Sequence, residues 1–275
     1  EIANVMGLAG IKYMIKDGAK VPFKFYFGAP SCVPATVFET SGAVIGPLEI
    51  KKLLKDENIK YLGEMMDFPG VISKEKHVTA KIRLAKHYKK QIDGHAPGLS
   101  GEDLGKYINA GISTDHEAYT RDEAIEKIKL GMKILIREGS AAKDFEALHS
   151  VIDEYPDYCM FSSDDRHPNN LLEGHINLLV KKSLAYGHEL MNVLQCACVN
   201  PVKHYKLDVG LLQVGDKADF IEVDNFENLN IKKTVINGLM VCDNGWSLIP
   251  KQRTPLINNF NIKLKKEGDF EVPYR

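Results

Sequence analysis

Six times between residues 23 and 187, a short strand-like apolar run is followed by a longer helix-like one, and this repetition restricts the chain more than any other feature. Strands are expected at 23–27, 60–66, 91–95, 111–116, 133–137 and 158–162, from β-branched and aromatic runs bounded by turn residues. Helices are expected at 47–58, 73–90, 100–110, 121–132, 144–155 and 173–187, with a further helix at 1–16 on an apolar face of Ile2, Val5, Met6, Ala9, Tyr13 and Met14. Ser100 with Asp103, and Thr120 with Glu123, have the spacing of capping boxes. Strands that alternate with helices form a parallel sheet covered by helices.

Polar clusters recur at the ends of these strands, near positions 31, 64, 95, 116, 139 and 164, with gaps of 33, 31, 21, 23 and 25 residues. A barrel of eight strand–helix units in about 250 residues averages about 31 per unit and carries its active site at the carboxyl ends of the strands. An open doubly wound sheet would place ligands only near a switch point. The expected fold is therefore α/β, a (β/α)8 TIM-type barrel of which six units are visible. Six parallel strands leave two open edges, and the first residue is Glu1 rather than Met, so the chain reads as a central segment of a longer protein. The open edges lead to an expectation of a homo-oligomer.

After residue 207 the texture changes. Residues 210–219 are turn-rich, 220–223 and 234–236 read as strands, and Asn237-Gly238 signals a hairpin into 239–242. The domain reading is an incomplete barrel over 1–207, a β-sandwich appendage over 208–245, and a tail over 246–275 leading towards a further region. Lys+Arg at 36 against Asp+Glu at 37 gives a net charge of −1, so no nucleic-acid partner is expected. No apolar run reaches about 18 residues, so no membrane partner is expected. Five scattered cysteines and the lack of a leader pattern fit the cytoplasm.

Four strand-end residues have the chemistry of metal ligands. Glu64 lies in Leu62-Gly63-Glu64-Met65-Met66, where a carboxylate among apolar neighbours needs a partner: a salt bridge between layers or a metal. His95 in Asp93-Gly94-His95 and His116 in Asp115-His116-Glu117 end successive strands, and Asp164 follows the last one. Carboxylate and imidazole from separate strands suit Zn, Mn or Fe. Only six of the 36 basic residues are arginine, and Arg137 and Arg166 stand in strand-end motifs, where a forked donor or a plain Arg–Glu pair would serve. Cys196 and Cys198, two apart on a helix, do not face each other and read as core packing. His77, His87, His149, His188 and His204 carry no motif and read mostly as exposed helix residues.

The strings Pro30-Ser-Cys-Val-Pro-Ala-Thr36, Leu62-Gly-Glu-Met-Met66, Asp93-Gly-His-Ala-Pro-Gly-Leu-Ser-Gly101, Thr114-Asp-His-Glu117, Ile136-Arg-Glu-Gly-Ser-Ala141 and Asp164-Asp-Arg-His-Pro168 resemble the adenine deaminases of the amidohydrolase superfamily. The resemblance covers residues 1 to about 245 and implies a metal-dependent hydrolase barrel with a flanking β-sandwich. It implies Glu64 as a carboxylate bridging two divalent ions, with His95, His116 and Asp164 as further ligands, the native metal being Mn, Fe or Zn. Activated water would attack C6 of adenine. Asp164 would take the proton that helps expel ammonia, and Glu117 would protonate the ring nitrogen. Ser31, Cys32, Arg166 and His167 would shape the pocket for the base. The family's first-strand His-x-His ligands have no counterpart in this chain, so the isolated segment is expected to bind at most one metal tightly and to show little or no adenine turnover. If ligands come from within it, His167 and His175 are the first to examine. Two other readings stay open: another amidohydrolase acting on a cyclic amide, and an inactive metal-binding segment.

Overall fold

The computed structural model describes residues 2–36, 38–255, 257 and 262–273. Six parallel strands run in chain order: β1 (Phe27–Pro30), β2 (Ile59–Met65), β3 (Gln91–Gly94), β4 (Thr114–Asp115), β5 (Lys133–Arg137) and β6 (Cys159–Ser162). They form two three-stranded sheets, β1-β2-β3 and β4-β5-β6, rather than one uninterrupted ladder. The seam is tight, since Ser113 N donates to Ile92 O at 2.9 Å and Gly94 N to Thr114 Oγ1 at 3.3 Å. Helices follow the strands, and the strand residues that face them pack into two clusters, while Tyr61, Asp93 and Leu135 face a cavity instead. One cluster is built on Ile59, Leu62 and Ile92, the other on Ile134, Ile136 and Phe161.

Some expected elements move. The first strand begins at Phe27; Phe23 and Phe25 stay about half exposed and pack against each other with tilted rings, centroids 4.8 Å apart. The opening helix, Ile2–Gly18, buries Ala3, Gly7, Gly10 and Ile11 rather than the larger apolar stripe, and leaves Val5 exposed. Gly7 sits at φ +57°, which breaks the regular helix there; Glu1 lies outside the described residues. Lys76–His87 is helical within the expected 73–90, and an additional short helix at Phe68–Ile72 precedes it; Asp67 caps the short helix by accepting from Gly70 N at 2.9 Å. Thr120 caps its helix through Glu123 N at 3.3 Å, whereas Ser100 makes no side-chain cap.

Beyond the parallel units lies a four-stranded antiparallel sheet, order β10-β9-β8-β7: β7 (Phe220–Val223), β8 (Ile231–Ile236), β9 (Leu239–Asp243) and β10 (Trp246–Ser247). The expected hairpin is present. Asn237 and Gly238 both have positive φ, at 49° and 78°, and Ile236 pairs with Leu239. Lys24 Nζ ties this sheet to the first unit through Asp219 Oδ2 at 2.6 Å. The tail is described only over part of its length, including a 3₁₀ turn at Glu267–Phe270.

Candidate metal centre

Parallel strands point their carboxyl ends the same way, so residues at these ends meet above the sheet. Glu64 is the last residue but one of β2, His95 follows β3 directly, and His116 follows β4. Their ligand atoms converge. His95 Nδ1 lies 3.1 Å from Glu64 Oε2, His116 Nε2 lies 3.3 Å from the same oxygen, and the two nitrogens are 3.3 Å apart. Glu117 Oε1 is the fourth member, 3.5 Å from His95 Nδ1 and 3.6 Å from His116 Nε2. Two ligands each about 2.0–2.1 Å from one tetrahedral ion stand roughly 3.3–3.4 Å from each other. The donor set and its spacings therefore fit a divalent ion.

The His116 and His95 rings hold the Glu64 carboxyl well below the usual range, at about 2. A carboxylate must be ionised to bind a metal, and this one is held in that form.

Arg137 organises the other half of the site. Its guanidinium makes forked bonds to both Glu117 oxygens, with Nη2–Oε2 at 3.0 Å. It also reaches Asp164 Oδ2 at 2.8 Å and Asp144 Oδ2 at 2.6 Å. The Arg–Glu pairing left open by the sequence is therefore present. Asp164 adopts φ +49°, which an Asp tolerates, and lies in a group with His116 and Glu117 whose ligand atoms are all within 4.8 Å.

Glu64, His116 and Asp164 line a cavity of about 730 Å³, with Ser31 and Cys32 in its wall. The Ser31 hydroxyl donates to Glu64 O at 2.6 Å, so the end of β1 is pinned to the end of β2. Arg166 and His167 are not brought to this cavity. Arg166 donates to Glu138 O and Asn170 O and lines a neighbouring cavity of about 260 Å³, while His167 is exposed.

His175 does face the larger cavity, its Nε2 2.8 Å from Ser163 Oγ. Asp93, Tyr61 and Tyr205, which carried no role in the sequence, also line it. Asp93 accepts from Tyr205 Oη at 2.9 Å and Thr114 Oγ1 at 3.0 Å, and burial pushes its carboxyl up to about 6. The signal for Asp93 was its place two residues before His95, on the same side of the strand.

The remaining histidines divide. His77 and His87 are exposed as expected; His149 and His188 pair at 2.9 Å, and His204 is buried against Ser113 and Tyr205. Cys196 is buried but Cys198 is exposed, so only one of the pair packs in the core.

Residues 1–241 match the sequence pattern of the Amidohydrolase family. The chain belongs to the amidohydrolase family. Among its relatives in that family, it is 55% identical to adenine deaminase of Sulfurovum sp., over 98% of this chain and 51% of the relative. It is 53% identical to adenine deaminase of Salinibacter ruber, over 99% of this chain and 50% of the relative. The chain thus spans about half the length of the curated relatives it matches. Its fold is similar to the crystal structure of beta-aspartyl dipeptidase from Fervidobacterium islandicum, with a TM-score of 0.65 at 18% identity over 93% of this chain and 71% of that one. It is also similar to N-acetyl-D-glucosamine-6-phosphate deacetylase from Mycobacterium smegmatis, at 0.62 and 13% over 86% and 71%. These two likenesses concern the amidohydrolase fold alone.

Proposed function

We propose that the protein is a metal-dependent adenine deaminase, which hydrolyses adenine to hypoxanthine and ammonia. The observation that carries this reading is the convergence of Glu64, His95 and His116 beside the Arg137-held Glu117 and Asp164, with Glu64, His116 and Asp164 lining one cavity. The identity of more than half its residues with adenine deaminases supports adenine as substrate over a cyclic amide.

Glu64, His95 and His116 would hold a divalent ion, of Mn, Fe or Zn type, with Asp164 as a further ligand. When bound, such an ion supplies Lewis acidity that lowers the pKa of water from 15.7 to about 7. Asp164 accepts a proton from the attacking water at C6. That proton leaves with the amino group as ammonia, and the oxygen stays on the ring. Glu117, fixed by Arg137, stands on the same side as the histidines; it takes the second proton of the water and passes it to the ring nitrogen beside C6. Ser31 and Cys32 form the wall against which the base lies.

We also read residues 1–207 as six units of a (β/α)8 barrel, 208–245 as part of a β-sandwich and 246–275 as a tail or linker. The six parallel units and the antiparallel sheet support that division. No helix among the described residues is long and apolar enough to cross a membrane. A cytoplasmic homo-oligomer with two ions in the whole enzyme, acting on a purine base and on neither nucleic acid nor membrane, completes the reading.

Turnover by the whole protein tests it, followed as ammonia release from adenine and as ring opening of dihydroorotate and an imidazolone. Turnover of adenine alone, abolished by a chelator and restored by a divalent ion, is expected. Preference for a cyclic amide would replace this reading with the other amidohydrolase class.

A further inference from the structure

Behind the two histidines lies a buried ionic cluster that the proposed chemistry does not use. Lys127, from the helix Arg121–Lys129, has no solvent exposure, and neither does Asp115. Lys127 Nζ donates to Asp115 Oδ2 at 2.9 Å, to Glu123 Oε1 at 2.6 Å and to Ala96 O at 2.7 Å. Asp115 Oδ1 accepts from Ala96 N at 2.8 Å, and its Oδ2 from Glu117 N at 3.2 Å. Glu123 in turn accepts from Gly98 N at 2.8 Å.

The backbone groups held, at Ala96, Gly98 and Glu117, lie within three residues after His95 and His116. Ala96 is held at both its N–H and its C=O. Burying such charges costs several kcal/mol per ion, and an apolar replacement is often neutral or stabilising. Stability therefore gives little reason for the cluster, whereas its contacts all fall on the loops that carry the two imidazoles.

We propose that Lys127 and Asp115 are positioning residues that set the His95–His116 spacing and with it the affinity for metal. The inference rests on the metal-centre reading above. It is tested by Zn²⁺ binding alone, titrated against a chromophoric chelator, with thermal unfolding measured in parallel on the same whole protein.

The double variant Lys127→Met/Asp115→Asn removes one charge of each sign and leaves the cluster's net charge unchanged. It should fold, with Zn²⁺ affinity lowered about 10–100-fold, the range for losing partners that orient metal ligands. The milder Asp115→Asn keeps the side chain's shape and should lose about tenfold. A merely structural role would lower the melting temperature and leave the affinity of the folded protein intact. Folded variants that bind Zn²⁺ as tightly as the wild type overturn the proposal, and so does an unfolded double variant beside a folded Asp115→Asn of unchanged affinity. A wild-type protein that binds no Zn²⁺, Mn²⁺ or Fe²⁺ overturns the underlying reading, and this one with it.

Discussion

Arg137 is the residue on which the site's carboxylates depend. Glu117, Asp144 and Asp164 crowd around one guanidinium, whose five donors in a fixed plane can serve all three at once. A lysine presents a compact ammonium instead, and cannot hold the forked pair to Glu117 while reaching the two aspartates. Arg137→Lys should therefore lower adenine turnover by about 10²-fold or more, the scale seen when one oriented catalytic donor is lost. Steady-state kinetics on metal-loaded protein checks this, and wild-type turnover would remove Arg137 from the machinery. At this scale the sequence was most legible for residues whose chemistry is rare in their surroundings. Glu64 among methionines and the paired Asp-x-His and Asp-His strings announced themselves, and the fold brings these three side chains to one point. Arg166 and His167 lie outside the larger cavity for a physical reason: a motif shows which residues are close in the chain, but not which side of the backbone faces the cavity. Lys127 was invisible, because a lysine on a helix otherwise rich in charge reads as solvated surface.

Between elements, the contact that matters most is the seam of β3 and β4, which carries one histidine on each side. A Cβ added to Gly94 would come within 2.2 Å of Thr114 O, so the strands meet closely only because that side chain is missing. Gly94→Ala should destabilise the fold by about 1–3 kcal/mol through overpacking, read from denaturant unfolding. A neutral outcome would mean the seam is softer than described. His204 supports the same seam from behind, its Nε2 3.4 Å from Ser113 Oγ. Burial, with Lys133 adding to it, lowers its pKa from 6.5 to about 4. The unfolded chain then takes up a proton from 6.5 downwards while the folded chain does not until about 4. Its contribution is full above pH 6.5 and is lost at about 1.4 kcal/mol per unit as the pH falls towards 4. Between pH 7 and 5 the wild type should lose about 2 kcal/mol more stability than His204→Gln. Parallel slopes for the two proteins would contradict this. Strand–helix alternation made these elements legible in order and type. Their boundaries were less so, because β4 is two residues long and its burial comes from neighbours in space rather than from its own pattern.

For the whole molecule, the alternation and the spacing of polar clusters pointed to a barrel-type α/β hydrolase. The parallel sheets and the solved relatives agree with that class. What the spacing could not show was the break into two three-stranded sheets, since backbone pairing across a seam leaves no mark on composition. The shape gathers the six strand ends around a cavity large enough for a purine base, and the account stands on a metal held at one edge of it. The most direct test is the anomalous scattering of a crystal of the whole protein grown with Zn²⁺ or Mn²⁺. The account predicts a peak about 2.0–2.2 Å from Glu64 Oε2, His95 Nδ1 and His116 Nε2. A metal bound only at the group of half-buried Asp67 with exposed Glu75 and His77, with the Glu64 cluster empty at saturating metal, would contradict it.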